Sequence, residues 1–113
     1  MTATETIAAS QWESMRTVDT RMLEDALRGA GFETVDAYRY NSAVIRHRVI
    51  DSKFEGMRMG SRFDMIEPHL DRLPEVIQLD IIMLLAIAPS ELAGKPRKFH
   101  QYSRNLEFEQ STL

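Results

Sequence analysis

The chain contains no cysteine. That excludes disulfides, thiolate metal sites and cysteine nucleophiles, and it means that the chain supplies no sulfur ligand to an iron–sulfur cluster. Its longest apolar run, Ile81 to Ala88, is eight residues, too short to span a membrane. The N-terminal residues Met1 to Thr6 carry no positive charge ahead of a long apolar core, so no signal peptide is expected. The chain is therefore expected in the cytoplasm, which an absence of cysteine fits. There is no internal repeat and no low-complexity tract. No charge of one sign dominates either. The formal net charge is −3, so any contact with nucleic acid would need a local basic patch.

What is present is one domain's worth of chain. At 113 residues and 43% hydrophobic content, it can build a modest single core. Residues 1–18 are polar with scattered Ile7, Trp12 and Met15, and read as an arm or a loosely docked turn. Trp12, the sole tryptophan, reads as a plug onto the domain. Asp19 or Thr20 is expected to cap a first helix. Met22, Leu23, Ala26, Leu27 and Ala30 share one face of it, and Gly31 ends it. Thr34–Tyr40 and Ala43–Asp51 read as strands joined at Asn41-Ser42.

A second helix is expected from Met57 or Arg58, with Met59, Phe63, Ile66 and Leu70 along one side. Pro68 should end that helix or open a third, which closes at Leu73-Pro74. Val76 to Ala88 reads as a third strand stopped by Pro89. Leu79, Ile81, Met83, Leu85 and Ile87 would form one face of it, and Ile82, Leu84 and Ala86 the other. A sheet covered by helices on one side leaves its second face open. Apolar residues on both faces of this strand therefore predict a cover: a tail, a second copy or a partner. From Ala93 the composition shifts. Lys95 to Arg104 holds four basic residues with Phe99, His100 and Tyr102, and Leu106 to Leu113 is acidic and polar.

Few residues suggest chemistry. Asp64, Glu67, His69 and Asp71 bunch around Pro68, but a solvated helix face looks the same as a metal site at this spacing. His47 lies in a strand between Arg46 and Arg48 with no second His nearby in sequence, and reads as a satisfied sheet histidine. There is no nucleophile motif, no phosphate loop and no convincing acid–base pair. No enzyme, no cofactor and no metal is expected.

The order of motifs in the middle of the chain resembles the BolA family, an αββααβ fold related to the class II KH domain. Val49-Ile50-Asp51-Ser52 is similar to that family's second-strand ending. Phe54-Glu55-Gly56 is similar to its Phe-x-Gly turn. Arg62 with Met65-Ile66 sits where the family has an Arg-His-Arg and an apolar pair, and Pro89-Ser90-Glu91 resembles its Thr-Pro-Glu-Glu ending. The likeness covers residues 20–92. It implies an α+β domain over residues 19–92, with a three-stranded mixed sheet and helices on one face, between an arm (1–18) and a tail (93–113). It also implies a regulatory or adaptor role through protein contacts, and a link to a monothiol glutaredoxin. Two departures bear on that link. The loop between the first two strands is only Asn41-Ser42, and the family's His opening the third strand falls on Asp80.

The residues expected to meet a protein partner are Arg58, Arg62, Asp80, Ile82 and Leu84. The alternative is a KH-like nucleic-acid binder, with contacts from Lys53, Arg58, Arg62, Lys95, Arg97 and Lys98. Gly56-Met57-Arg58-Met59-Gly60 is one residue too long for the Gly-x-x-Gly loop of KH domains. No membrane partner is expected, and a homodimer is compatible with the surplus apolar strand.

Overall fold

The computed structural model describes residues 11–92 and Phe108. Helix α1 (Val18–Gly29) starts at neither expected cap, because Thr17 takes that place. The Thr17 hydroxyl accepts the Thr20 N–H at 3.3 Å, and the Thr20 hydroxyl accepts the Thr17 N–H at 2.8 Å. The two threonines thus satisfy each other's free donors in a capping box. At the other end Gly31 has φ +103°, a conformation that L side chains avoid. Its N–H bonds Arg28 O at 3.0 Å, and the Phe32 N–H bonds Leu27 O at 3.2 Å. This Schellman turn brings Phe32 back into the core beside Leu27.

Strand β1 (Thr34–Asn41) pairs antiparallel with β2 (Val44–Ile50), and β2 pairs parallel with β3 (Ile81–Ile87), giving a sheet of order β1-β2-β3. A parallel neighbour requires a long crossover. Here it holds a 3₁₀ turn (Ser52–Phe54), helix α2 (Met59–Leu70) and helix α3 (Glu75–Asp80). The short helix α4 (Pro89–Leu92) follows β3. The element order is α-ββ-αα-β, an α+β fold. Gly56, at φ +75°, makes the turn into α2.

The third strand is shorter than its sequence pattern suggests. Residues 75–80 are helical, with the Ile77 and Gln78 N–H groups bonded to Pro74 O. Val76 and Leu79 are each 71% exposed, whereas Ile77 is buried. One buried residue per turn is helical spacing, and Pro74 suits the start of a helix. Pro68 does not end α2 either. It lies in the last turn, where the missing N–H leaves only the Asp64 carbonyl without its helical partner, and both residues are exposed to water.

Helices α1, α2 and α3 cover one face of the sheet. Leu23, Leu27, Val35, Ile45, Val49, Phe54 and Ile66 are fully buried there. Each such side chain contributes roughly 1.5–3 kcal/mol by leaving water. Helix α1 also closes the sheet's first edge. Glu24, 2% exposed, accepts the Ala37 N–H at 2.9 Å, and Arg28 donates to Val35 O at 2.7 Å. Two outward-pointing groups of β1 are thereby satisfied, which blunts that edge against a stray strand.

The opposite face is covered by the chain itself. Trp12, in a 3₁₀ turn (Gln11–Met15), and Phe108 pack edge to face at 5.2 Å, and both meet Tyr38, over Leu85 and Ile87. Arg16 lies over Trp12, Arg48 lies over Phe108, and Asp36 sits between the two guanidiniums at 3.5 and 2.8 Å. Trp12 is thus the plug that its isolation in sequence suggested.

Candidate functional site

An open groove of about 810 Å³ lies at the N-terminal end of β3. Its walls are the β1–β2 hairpin at Tyr40 and Val44, helix α2 at Phe63, Ile66 and Glu67, and the start of β3. The apolar groups reach it for a local reason. In the parallel register Ile45 pairs with Ile81 and Arg46 with Met83, so Ile82 is left out of step. This bulge turns Ile82 outward, 66% exposed. It also corrects the expected faces of the strand. Ile81 packs with Leu84 and Ala86 on the helix side, whereas Leu85 and Ile87 lie on the other.

The polar groups around the groove are few. Arg46 lies flat on the Tyr40 ring, its guanidinium 3.8 Å from the centroid. His47, from the middle of β2, is fully buried and lines the groove from below. Glu67 stands exposed on the α2 wall, with Asp64 and Asp71 exposed one turn to either side. Among the described residues, Arg46 is the one lining residue with a permanent positive charge.

The residues singled out in sequence fall in different places. Ile82 and partly buried Leu84 line the groove. Asp80 is at its edge in sequence but is engaged elsewhere. It accepts from Arg39 at 2.8 Å, and Arg39 also reaches Asp19 at 2.9 Å. Those hydrogen bonds, first Asp19 and then Asp80, raise the Arg39 pKa above its ordinary value. Asp80 therefore ties α3 to β1 and α1.

Arg62 is not a surface group. It is 4% exposed, bonds the carbonyls of Met57 and Ala86, and forks onto Glu91. The expectation that it meets an outside partner has little surface behind it, because these donors face inward. The Arg62 bonds, foremost, hold the Glu91 carboxyl below its usual range. Arg58 is exposed at the N-cap of α2. Lys53 is exposed, with its ammonium 3.1 Å from both Asp51 and Gly31 O. Lys95, Arg97 and Lys98 lie outside the described residues.

Tyr40, Val44 and Phe63 were not singled out. Tyr40 and Val44 flank the expected turn at Asn41-Ser42, and Phe63 belongs to the expected apolar side of the second helix, so nothing in the sequence joined the three. Among the described residues no three His, Asp or Glu groups are placed to hold a metal ion, and no helix is long and apolar enough to cross a membrane. Comparison of the chain with protein-family models, curated proteins and solved structures gave no match.

Proposed function

We propose that this chain is a non-catalytic, BolA-like regulatory or adaptor domain that works by binding another protein. The observation that carries the reading is the groove, where Ile82 and Phe63 present apolar surface beside a well-buried core. The α-ββ-αα-β order and the parallel β2–β3 pair agree with the family resemblance of the central motifs. A glutaredoxin link is part of the proposal, with a changed basis. Asp80 offers a carboxylate already bonded to Arg39, and carboxylates are poor substitutes for imidazole at iron–sulfur clusters. Contact would then rest on the groove rather than on a shared cluster ligand.

The test is a titration of cluster-bearing monothiol glutaredoxin with this protein, followed by visible absorption, circular dichroism and calorimetry, beside a His-bearing BolA control. Heat of binding with an unchanged cluster spectrum, lost in Ile82→Lys, is the expected result. No binding, with the control responding, would remove glutaredoxin as the partner.

A nucleic-acid role is the second reading. Lys53 and Arg58 are exposed near the start of α2, where phosphate is favoured. The inward-facing Arg62 weakens this reading. Binding of labelled single-stranded DNA that falls steeply with salt would favour it over the adaptor.

A further inference from the structure

The groove has a charge pattern as well as an apolar floor. Helix α2 lines it with Phe63, Ile66 and Glu67. On the adjoining solvent side Asp64, Glu67 and Asp71 follow one another at helical spacing, all exposed. None of the three carboxylates is held in an ion pair among the described residues. Among the described residues the opposite wall has one cation, Arg46, laid against Tyr40. The whole chain is itself negative, at −3. An acidic ligand or a phosphate backbone approaching this groove would meet like charge along its longest wall.

From this complementarity we infer that the groove takes a basic amphipathic helix of a partner protein. Its apolar stripe would lie on Ile82, Leu84 and Phe63, with lysines or arginines along the α2 wall. The inference rests on the adaptor reading and deepens it. The geometry suits a helix: the stretch of α2 that lines the groove, Phe63 to Leu70, makes a wall about 12 Å long at about 1.5 Å per residue. That spans about two turns of a partner, enough for a stripe of anchors at i, i+3, i+4 and i+7. Leu84 packs partly into the core, so Ile82 and Phe63 are the exposed anchors.

The experiment uses the full chain and two labelled helical peptides of about 18 residues. They share one leucine stripe and differ only in flanking Lys or flanking Glu. The Lys peptide is expected to bind about 10-fold more tightly, since each of three exposed pairs contributes a small increment. The preference should shrink with salt, reverse in Asp64→Lys/Glu67→Lys, and both peptides should weaken in Ile82→Lys. All three substituted positions are exposed, and circular dichroism would confirm that the variants fold.

Equal affinity for the two peptides would overturn the basic preference and leave the adaptor reading standing. Binding unaffected by Ile82→Lys, or no binding of either peptide, would overturn the groove as the docking place. A dimer in light scattering that Ile82→Lys makes monomeric would give the groove to a second copy. Tighter peptide binding by Phe99→Ser/Tyr102→Ser would give it to the chain's own basic segment. Either of these would overturn an outside partner.

Discussion

Arg62 and Glu91 are joined by two parallel hydrogen bonds, Nη1 to Oε1 at 2.8 Å and Nη2 to Oε2 at 2.7 Å. The fork fastens α2 to α4 across the end of β3. It is planar recognition that lysine cannot reproduce. Arg62→Lys is expected to cost about 3 kcal/mol, because a buried carbonyl and half the fork lose their donors. Urea unfolding at neutral pH would measure it. A loss below about 0.5 kcal/mol would show that the fork behaves as an ordinary surface pair.

Asp51 is fully buried and joins the turn after β2 to the segment before β1. It accepts the Glu33 N–H at 2.9 Å, the Lys53 N–H at 2.7 Å and the Lys53 ammonium at 3.1 Å. Burial, the largest influence, would raise its pKa, but the hydrogen bonds together with the ammonium outweigh it and the net shift is downward. A carboxyl with a lowered folded pKa stabilises above its unfolded value, near 3.9, and that contribution is lost as pH falls through the folded value. Asp51→Asn should cost about 2 kcal/mol at pH 7. The gap between wild type and variant should narrow below about pH 4. A gap that stays constant down to about pH 2 would show that the charge of Asp51 is irrelevant.

Asp80→His tests the proposed resemblance to the BolA family by placing an imidazole at the position that the resemblance assigns to that family's histidine. It removes one of two carboxylates from Arg39, which retains Asp19. The pair is partly exposed, so a stability loss of about 1 kcal/mol is expected. Thermal unfolding would read that loss. The same variant mixed with cluster-bearing glutaredoxin should change the visible circular dichroism if the site can hold a shared ligand. An unchanged spectrum with a folded variant would show that this position does not supply a shared ligand even when it carries an imidazole.

Phe108→Ala should uncover Trp12. The ring packs against Trp12 and Tyr38 at 5.2 and 5.3 Å, and its removal is expected to cost about 3 kcal/mol. Emission from the single tryptophan should shift to the red and become open to acrylamide quenching. Emission identical to wild type would mean that Trp12 is shielded without Phe108.

Much of the fold was legible because its signals are local. Gly31 marks the end of α1 through its backbone, and the turn dipeptide Asn41-Ser42 between two strand-like runs marks the hairpin. The start of β3 was not legible, since Val76, Ile77 and Leu79 read as apolar whatever their spacing. Only the exposure of Val76 and Leu79 separates helix from strand there. The bulge at Ile82 depends on register with β2 and leaves no trace in composition. Arg62 shows the limit most clearly: an arginine on a helix reads as surface, and its inward course requires carbonyls from Met57 and Ala86 that come together only in three dimensions. The groove was half visible. Ile82 and Leu84 stood out in a surplus apolar strand, while Tyr40 and Phe63 join them only through the packing of α2 beside the hairpin.

The clasp of Trp12 by Phe108 sets an order of events during synthesis. Phe108 leaves the ribosome 96 positions after the Trp12 ring it packs against. Until then Tyr38, Leu85 and Ile87 have lost half their shelter, so the nascent sheet has one finished side and one sticky one. Chaperone engagement, premature termination and clipping ahead of Phe108 should all converge on that same unfinished side.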